Sequence, residues 1–330
     1  MINDFLVGIL NGINSVVNNY GLSIIVFTIL IKLVLMPFDY KSRKSMRRMT
    51  TIQPQVAKLQ KKYANDKEKL NTKTAELYRK EKINPLSGCV PMLLSFPVLI
   101  AMFGAMRYVA NLELAHQAID LLVNPAEVFQ PEGFLWVKNL WMPDSPFTTI
   151  MPDKNNLAMI PADVWARVMQ SFQGTDTLTA LSHLGIDANS INGEVVYNAL
   201  FAMPSYQEQV ALWGAMPNIN LIFFNLNIYA HHNGWFILPV LAAVTQLLMT
   251  LTQPQQPAAN EQAAKSNKIM MYFFPIFSLF ICSSYNAAFA IYWVAANVFA
   301  WVQGIYFNRL FAKQEAAAQE VVDPTGGSLK

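Results

Sequence analysis

The sequence predicts an all-α polytopic membrane protein with five transmembrane helices, a cytoplasmic helical hairpin and an N-terminal amphipathic helix at the membrane interface. Of its 330 residues, 53% are hydrophobic and only 14% are charged, whereas a soluble domain carries about 25% charged residues. The apolar residues gather in runs long enough to cross a bilayer. Basic and acidic residues occupy different segments, although the net charge is only +3. These three observations exclude an ordinary soluble globular protein.

Residues 1–20 are predicted to form the amphipathic helix. Their apolar side chains recur at helical spacing, opposite a row of asparagines; they are Ile2, Phe5, Leu6, Ile9, Leu10, Ile13, Val16 and Val17. Such a helix lies in the membrane interface, and the alternative is a helix packed on the external part of the protein. The segment has no basic stretch, small-residue cleavage site or lipobox cysteine, so we expect no cleaved signal peptide.

Residues 21–38 form the first predicted span, and a single lysine, Lys32, interrupts its apolar run. About 18 apolar residues are near the minimum that crosses a hydrocarbon core of roughly 30 Å. A cation near the bilayer centre costs between about 2.5 and 17 kcal/mol, so it usually faces protein or a water-filled cavity. In a helix, Lys32 shares one face with Gly21, Ile25, Thr28 and Asp39. The alternative is that its flexible stem reaches the nearby interface.

Residues 39–86 are predicted to form a basic helical hairpin in the cytoplasm. Residues 39–84 contain 14 Lys and Arg against 5 Asp and Glu, and so basic a short loop stays inside the cell. The same rule places the N-terminus outside. Pro54 breaks or restarts the first helix of the hairpin, and Asn65 with Glu68 is typical of the cap of the second. The alternative is a solvated loop that only fixes the topology.

The second predicted span covers residues 89–107 and contains Pro91 and Pro97, which predict a kinked helix. Residues 108–233 are predicted to be external, because they contain 3 Lys and Arg against 11 Asp and Glu. Their tryptophans and isolated apolar residues exceed what a linker needs. A small folded module with short helices is therefore expected in this segment.

Three further spans are predicted after the external segment. In chain order, residues 235–252 form the third span, 253–268 a cytoplasmic loop, 269–285 the fourth span, 288–308 the fifth span and 309–330 a cytoplasmic tail. Lysines and arginines at the inner ends place the C-terminus in the cytoplasm. Cys89 and Cys282 both lie in apolar runs, so neither a disulfide framework nor a Cys-x-x-Cys metal site is available and we expect reduced thiols.

Six blocks of the sequence are specific enough to indicate a family. In order, they read GLSIIVFTILIKLVLMPFDYKS, NPLSGCVPMLLSFPVLIAMF, FLWVKNLWMPDSP, ILPVLAAVTQLLMT, KIMMYFFPIF and AIYWVAANVFAWVQGIYFNR. With the charged hairpin between the first two, they resemble the successive signature blocks of the YidC family of membrane protein insertases. The resemblance covers most of the chain outside residues 109–133 and 147–233.

The resemblance implies an insertase that places hydrophobic segments of nascent proteins into the lipid bilayer of the bacterial cytoplasmic membrane. Such a protein works as a monomer, alone or beside the Sec translocon, and meets the ribosome. It is not an enzyme, and it uses no metal, cofactor or nucleotide hydrolysis. The sequence departs from the family pattern at Lys32, where arginine is usual, and at Ser95, where glutamine is frequent. We also expect no large periplasmic domain before the first span and an expanded external insert, residues 147–233.

The resemblance further implies a hydrophilic substrate groove that carries a positive charge and opens to the cytoplasm and to lipid. Without a groove, dragging a polar tail through hydrocarbon costs several kcal/mol for each unsatisfied group. The residues expected to line it are Lys32, Thr28, Ser95, Pro97, Trp293, Asn297 and Gln303. The alternative for Asn297 and Gln303 is that they hold neighbouring helices together by hydrogen bonds.

Two other classes of protein compete with the insertase. A small channel or transporter would also place a lysine among polar groups, but no pair of interrupted helices in matching halves is visible. An intramembrane hydrolase needs a nucleophile with a base in reach, a role that Ser95 and Lys32 could take. All four histidines lie in the external segment. The adjacent pair, His231 and His232, points to different faces of a regular element and makes a poor metal site.

Overall fold

The computed structural model describes residues 2–81, 90–125, 129–211, 219–220, 225–226, 228–253 and 261–322. In chain order, its helices and strands are α1 (Ile2–Val17), α2 (Tyr20–Thr51), α3 (Gln53–Lys62), α4 (Lys67–Lys80), α5 (Val90–Val123), α6 (Lys154–Ala158), α7 (Ala162–Ser171), α8 (Asp176–His183), α9 (Gly193–Ala202), α10 (Pro204–Ala211), β1 (Ile219–Asn220), β2 (Asn225–Leu226), α11 (Ile237–Thr252), α12 (Glu261–Ser284) and α13 (Ala287–Val322). The two short strands pair antiparallel. Cys89 and parts of the predicted hairpin, of the loop 253–268 and of the tail 309–330 lie outside the described residues.

Within the described residues, four helices are long and apolar enough to cross a membrane, namely α2, α5, α12 and α13. The helices α1 and α11 are apolar but shorter. With 16 residues, α11 is about 24 Å long, against a hydrocarbon core of roughly 30 Å. The prediction of an all-α membrane protein that crosses the bilayer several times is confirmed. A fifth crossing, by α11, stays a prediction.

The helix α5 is longer than the span predicted for residues 89–107. It continues to Val123 and has 34 residues, which corresponds to about 51 Å. Only about 20 residues are needed to cross the hydrocarbon core. Part of α5 must therefore extend beyond that core.

The described chain divides into two compact units. Unit 1 contains residues 1–27, 100–242 and 278–294, and unit 2 contains residues 28–99, 243–277 and 295–330. The largest fully buried side chains of unit 1 include Leu10, Ile24, Phe27, Met102, Met106 and Trp141. They come from α1, the start of α2, α5 and the loop after it, so these segments share one apolar core.

The amphipathic helix α1 packs into unit 1 through one side only. Leu10 is fully buried, and the Ser23 hydroxyl donates to the Asn14 side-chain oxygen at 3.1 Å. Phe5 and Val16, on the opposite side of the helix, are exposed. An apolar stripe that the protein leaves uncovered suits a helix at a membrane interface, and that position stays a prediction.

The insert, residues 147–233, contributes the five short helices α6 to α10 to unit 1. Its fully or almost fully buried apolar side chains are Leu157, Val164, Trp165, Val168, Leu181, Val196 and Leu200. A Cβ atom at Gly193 would overlap the backbone carbonyl of Leu157, so only glycine permits this close approach of α9 to α6. The Tyr206 hydroxyl donates to the Pro152 carbonyl at 2.9 Å, and burial raises the pKa of Tyr206, which keeps this donor protonated. The helices α6 and α10 thus pack on α9, and the insert also contacts α5, where a His116 ring nitrogen lies 3.1 Å from the Ser171 hydroxyl.

The two ends of the insert meet in a short antiparallel contact, which we call the neck (residues 148–150 and 231–233). Thr149 and His232 pair as an isolated β-bridge. Two backbone hydrogen bonds of 3.3 and 2.8 Å flank this pair. Because residues paired in this way lie about 5 Å apart, the insert leaves and re-enters the rest of unit 1 at one place.

Unit 2 contains most of α2 and the helical hairpin. Helix α2 ends at Thr51, and α3 begins with Pro54 in its first turn, so the predicted restart at this proline is observed. The cap of α4 is Asp66, whose carboxylate accepts a hydrogen bond of 3.0 Å from the Lys69 amide. The prediction that Asn65 caps this helix is wrong. Both residue types cap helices well, and the neighbouring aspartate takes the position.

A tight turn joins α12 to α13. Only Tyr285 and Asn286 separate the two helices. The Asn286 side-chain oxygen accepts a hydrogen bond of 2.9 Å from the Phe289 amide. This bond satisfies one of the amides that every helix leaves free at its start, so a two-residue connection suffices.

Candidate functional site

One face of α2 carries a row of polar side chains within unit 2, which we call the polar stripe. Thr28, Lys32, Asp39, Arg43 and Arg47 follow one another at intervals of four, seven, four and four residues. Helical geometry places residues at these intervals on the same side. Thr28 is buried, and the four charged residues are half-buried. The stripe therefore brings charge into the apolar part of α2 without leaving it fully exposed.

Asp39 is the only acid of the polar stripe, and it lies among groups that attract it. Its carboxylate interacts electrostatically with Lys32 and Arg43. The Gln303 side chain of α13 is also within reach of Asp39, yet its Nε2 atom is buried without a hydrogen bond of normal geometry. Leaving a buried donor unsatisfied costs about 1–3 kcal/mol. The Gln303 amide thus adds a polar donor beside Asp39.

The far end of the polar stripe is fixed by two contacts. Arg47 forms a bidentate ion pair with Glu315, with nitrogen–oxygen distances of 2.7 and 2.9 Å. The Arg43 guanidinium donates to the Thr252 carbonyl at 3.5 Å. A bidentate pair adds fixed geometry to charge attraction, so α2 and α13 are held in register at this end. Lys32 is left as the cation that lies deepest in the apolar run of α2.

A second polar contact joins α11 to α13 within unit 2. The Asn297 side-chain amide donates to the Thr245 hydroxyl at 3.5 Å, and both residues are buried. Hydrogen bonds of this kind hold helices together in membranes. The contact therefore agrees with both interpretations of Asn297, namely that it holds neighbouring helices together and that it lines the groove.

The other three predicted groove residues are Trp293, Pro97 and Ser95. Trp293 belongs to unit 1, where its indole nitrogen donates to the Ser278 hydroxyl at 3.1 Å. Pro97 is exposed in α5. The side chain of Ser95 lies outside the described residues. The assignment of all seven residues to a substrate groove stays a prediction.

An open apolar cleft lies on the neighbouring face of α2, also within unit 2. It has a volume of about 470 Å³. Its lining residues are Leu33, Met36, Pro37, Tyr40, Lys41, Tyr306, Phe307 and Leu310. Leu33 follows Lys32 directly, and Tyr40 follows Asp39. A hydrophobic segment in the apolar cleft would thus lie beside the polar stripe.

The sequence pattern of a family described as 60Kd inner membrane protein matches residues 12–187 and 194–315. The chain belongs to the 60Kd inner membrane protein family. The match includes α2, α5, α11 and α12 and most of α13, and it extends into the insert, where the sequence shows no signature block. The resemblance to YidC proteins is confirmed by relatives of that name.

Three relatives of this member of the 60Kd inner membrane protein family are named membrane protein insertase YidC. The Chlorobaculum tepidum protein is 29% identical over 310 residues, which are 94% of this chain and 36% of the relative. The Fusobacterium nucleatum protein is 50% identical over 107 residues, 32% of this chain and 52% of the relative. The Anaeromyxobacter dehalogenans protein is 37% identical over 142 residues, 43% of this chain and 23% of the relative. The chain therefore spans about half or less of these relatives.

Unit 1 contains a buried acid, Asp144. The sequence does not predict its role. Its carboxylate has no exposed surface and accepts three hydrogen bonds. The donors are the Trp136 indole at 3.0 Å, the Phe236 amide at 3.2 Å and the Leu238 amide at 2.7 Å. The two amides lie at the start of α11, where a negative charge is favoured. Asp144 therefore caps a helix that begins more than 90 residues later in the chain.

The backbone just before this acid caps a second helix of unit 1. The Leu140 carbonyl accepts a hydrogen bond of 3.0 Å from the Ala288 amide, and the Met142 carbonyl accepts one of 2.9 Å from the Ala287 amide. These amides open α13. We call residues 139–144 the double cap, because this one segment satisfies the first amides of both α11 and α13.

Asn139 and Asn233, both without exposed surface, connect the double cap to the neck. The Asn139 amide donates to the Asn233 side-chain oxygen at 2.7 Å, and the Asn233 side-chain nitrogen donates to the Asn139 carbonyl at 2.8 Å. Two asparagines that lie 94 residues apart thus form a reciprocal pair. No local pattern distinguishes them from the other asparagines of the chain, so the sequence gives no signal for this contact.

The adjacent histidines, His231 and His232, do not form the centre of a metal site in the described residues. A ring nitrogen of His232 lies 3.0 Å from the Tyr229 carbonyl, and its ring packs edge-on against Trp235 at 4.4 Å between centroids. In the part of the chain that the structure describes, no three His, Cys, Asp or Glu side chains are grouped closely enough to share a metal ion.

Proposed function

We propose that this protein is a membrane protein insertase, the function that the names of its relatives state for them. The observation that carries the proposal is the polar stripe of α2, with Lys32 half-buried in an apolar helix beside the apolar cleft. A single surface of unit 2 thus offers both kinds of contact that a membrane segment with a polar tail requires.

The polar stripe would lower the cost of moving a polar tail across the bilayer. In hydrocarbon each unsatisfied polar group costs several kcal/mol, and polar side chains with the water they bind shorten the hydrocarbon path. Lys32 would attract acidic groups of the tail, since charge attraction is stronger where the dielectric constant is low. The apolar part of the substrate would contact the apolar cleft and pass from there into lipid. No covalent bond forms or breaks, so this action is that of a chaperone and not of an enzyme.

We place the protein in the bacterial cytoplasmic membrane with its N-terminus outside and its C-terminus inside. The basic hairpin supports this orientation, because positive loops stay in the cytoplasm. Its helices α3 and α4 carry exposed lysines, which would contact anionic lipid or ribosomal RNA. Nascent membrane proteins are the proposed substrates, and the protein would act as a monomer, alone or beside the Sec translocon.

The direct test is insertion by purified protein in liposomes. A single-span substrate synthesised in the presence of these liposomes should become protected from added protease at its translocated tail. Empty liposomes provide the control. Passage of ions or solutes through the protein without any protected substrate would contradict the proposal and favour a channel or transporter.

Deleting residues 54–82 is expected to abolish insertion while leaving the spans folded. The deletion removes α3 and α4, which pack as a hairpin of their own within unit 2. In this proposal the hairpin receives hydrophobic segments or the ribosome. Protease protection of a single-span substrate measures the loss, and thermal unfolding in detergent checks the spans. Full insertion by the shortened protein would reduce the hairpin to a signal for topology.

Replacing residues 151–230 by a short Gly/Ser link is expected to preserve insertion of a simple single-span substrate. The neck remains intact in this variant, and the buried core of the insert is removed as one piece. The reason is that α6 and α10 of the insert pack on α9, and that the neck closes the insert at one place. This variant also serves as the control for the hairpin deletion, since it removes more residues. If it folds stably in the membrane but inserts nothing, the insert belongs to the insertion machinery.

A further inference from the structure

The polar stripe contains an internal acid close to the cation that is proposed to meet substrates. Asp39 and Lys32 lie seven residues apart on α2, which stays helical although it contains Pro37 between them, and seven residues correspond to a rise of about 10 Å on one face. Side chains of a helix lean toward its N-terminus, so the Asp39 carboxylate leans toward Lys32. Among the described residues, Asp39 is the one acid that interacts electrostatically with Lys32.

The two arginines of the polar stripe have further partners, so Asp39 is the acid of the stripe that interacts with Lys32. Arg47 is occupied by the bidentate pair with Glu315, which is therefore not the acid that meets Lys32. Arg43 interacts with Asp39 from the other side and also donates to the Thr252 carbonyl. Asp39 thus has a second cation and lies near the Gln303 amide, so it keeps partners when Lys32 turns to another anion.

We propose that Asp39 is a specificity-determining residue that competes with acidic groups of the substrate for Lys32. This inference rests on the proposed insertase function. A carboxylate on the substrate tail gains attraction to Lys32 only to the extent that it replaces Asp39. Asp39 therefore sets how acidic a tail must be before the charge of Lys32 favours its insertion over that of a neutral tail.

The test compares single-span substrates that are identical except for zero, one or two aspartates in the translocated tail. The full chain is reconstituted in liposomes, and the measured quantity is the ratio of insertion rates for acidic and neutral tails. Asp39→Asn is expected to raise this ratio about threefold to tenfold, because Lys32 then lacks its internal partner. In a Lys32→Ala background, Asp39→Asn is expected to leave the ratio unchanged, because the lysine for which Asp39 and the substrate compete is absent.

Matched variants separate this role from a structural one. Glu315→Gln removes another acid that contacts α2 and should leave the ratio at the wild-type value. Asp39→Glu keeps the charge and should do the same, while the smaller neutral variant Asp39→Ser should repeat the effect of Asp39→Asn. An equal change for all tails, or a raised ratio that persists without Lys32, overturns the inference. Failure of the wild type to insert even the neutral tail would instead reject the proposed function.

Discussion

Lys32→Ala is expected to slow the insertion of segments with acidic tails about tenfold, whereas Lys32→Arg keeps most of the wild-type rate. Alanine removes the deepest cation of the polar stripe and leaves Asp39 to repel an acidic tail. At an effective dielectric constant of about 20, a single charge acts on another at close range with a few kcal/mol, which is enough for a tenfold change. Arginine retains the positive charge and offers more hydrogen-bond donors. The measurement is the fraction of protease-protected substrate against time.

The control for this pair is a substrate whose tail carries no charge. Its insertion should change far less in Lys32→Ala, because only the hydration of the polar stripe is lost. Lys313→Ala provides a second control, since Lys313 is an exposed lysine of α13 that belongs neither to the polar stripe nor to the lining of the apolar cleft. Equal insertion rates for wild type and Lys32→Ala with every substrate would show that the charge of this lysine does not contribute to insertion.

Asp144→Ala is expected to destabilise the protein by about 2–4 kcal/mol, because a buried donor left without its acceptor costs about 1–3 kcal/mol and the loss of a helix cap costs about 1 kcal/mol. The substitution leaves three donors without their acceptor, namely the buried Leu238 amide and the half-buried Phe236 amide and Trp136 indole. Asp144→Asn keeps one acceptor oxygen and should fall between alanine and the wild type. Thermal unfolding in detergent measures the loss, and the amount of folded protein in the membrane should follow it.

Glu208→Ala is the matched control for this change, because Glu208 is an exposed acid of the same unit. It should stay within about 0.5 kcal/mol of the wild type, as is usual for surface positions. Asp144→Ala protein that unfolds at the wild-type temperature would show that the double cap contributes no measurable stability.

Local patterns account for the parts of the fold that the sequence predicts correctly. Apolar runs and charge segregation predict the membrane helices, and helical spacing places Lys32 on one face with Thr28 and Asp39. Pro54 marks the start of α3 because proline suits the first turn of a helix. These features depend on neighbours within a few residues, so they can be read without knowledge of tertiary contacts.

Non-local contacts account for what the sequence does not predict. Asp144 and Asn233 lie in loops, and their partners are about 90 residues away. The continuation of α5 to Val123 is also not predicted, since a helix need not stop where its hydrocarbon span ends. The choice between Asn65 and Asp66 as a cap depends on backbone angles that composition does not specify. Gln303 and Asp39 lie far apart in the sequence, and they come close only because α13 packs on α2.

The neck also bears on how the length of the insert affects stability. Closing a flexible loop costs entropy that grows only with the logarithm of its length, so doubling the loop adds about 0.6 kcal/mol. Because Thr149 and His232 close the insert at one point, a longer or shorter module at this place would change the entropy of closing the loop only slightly. The same geometry makes the neck a suitable place to graft a foreign domain whose own termini lie side by side.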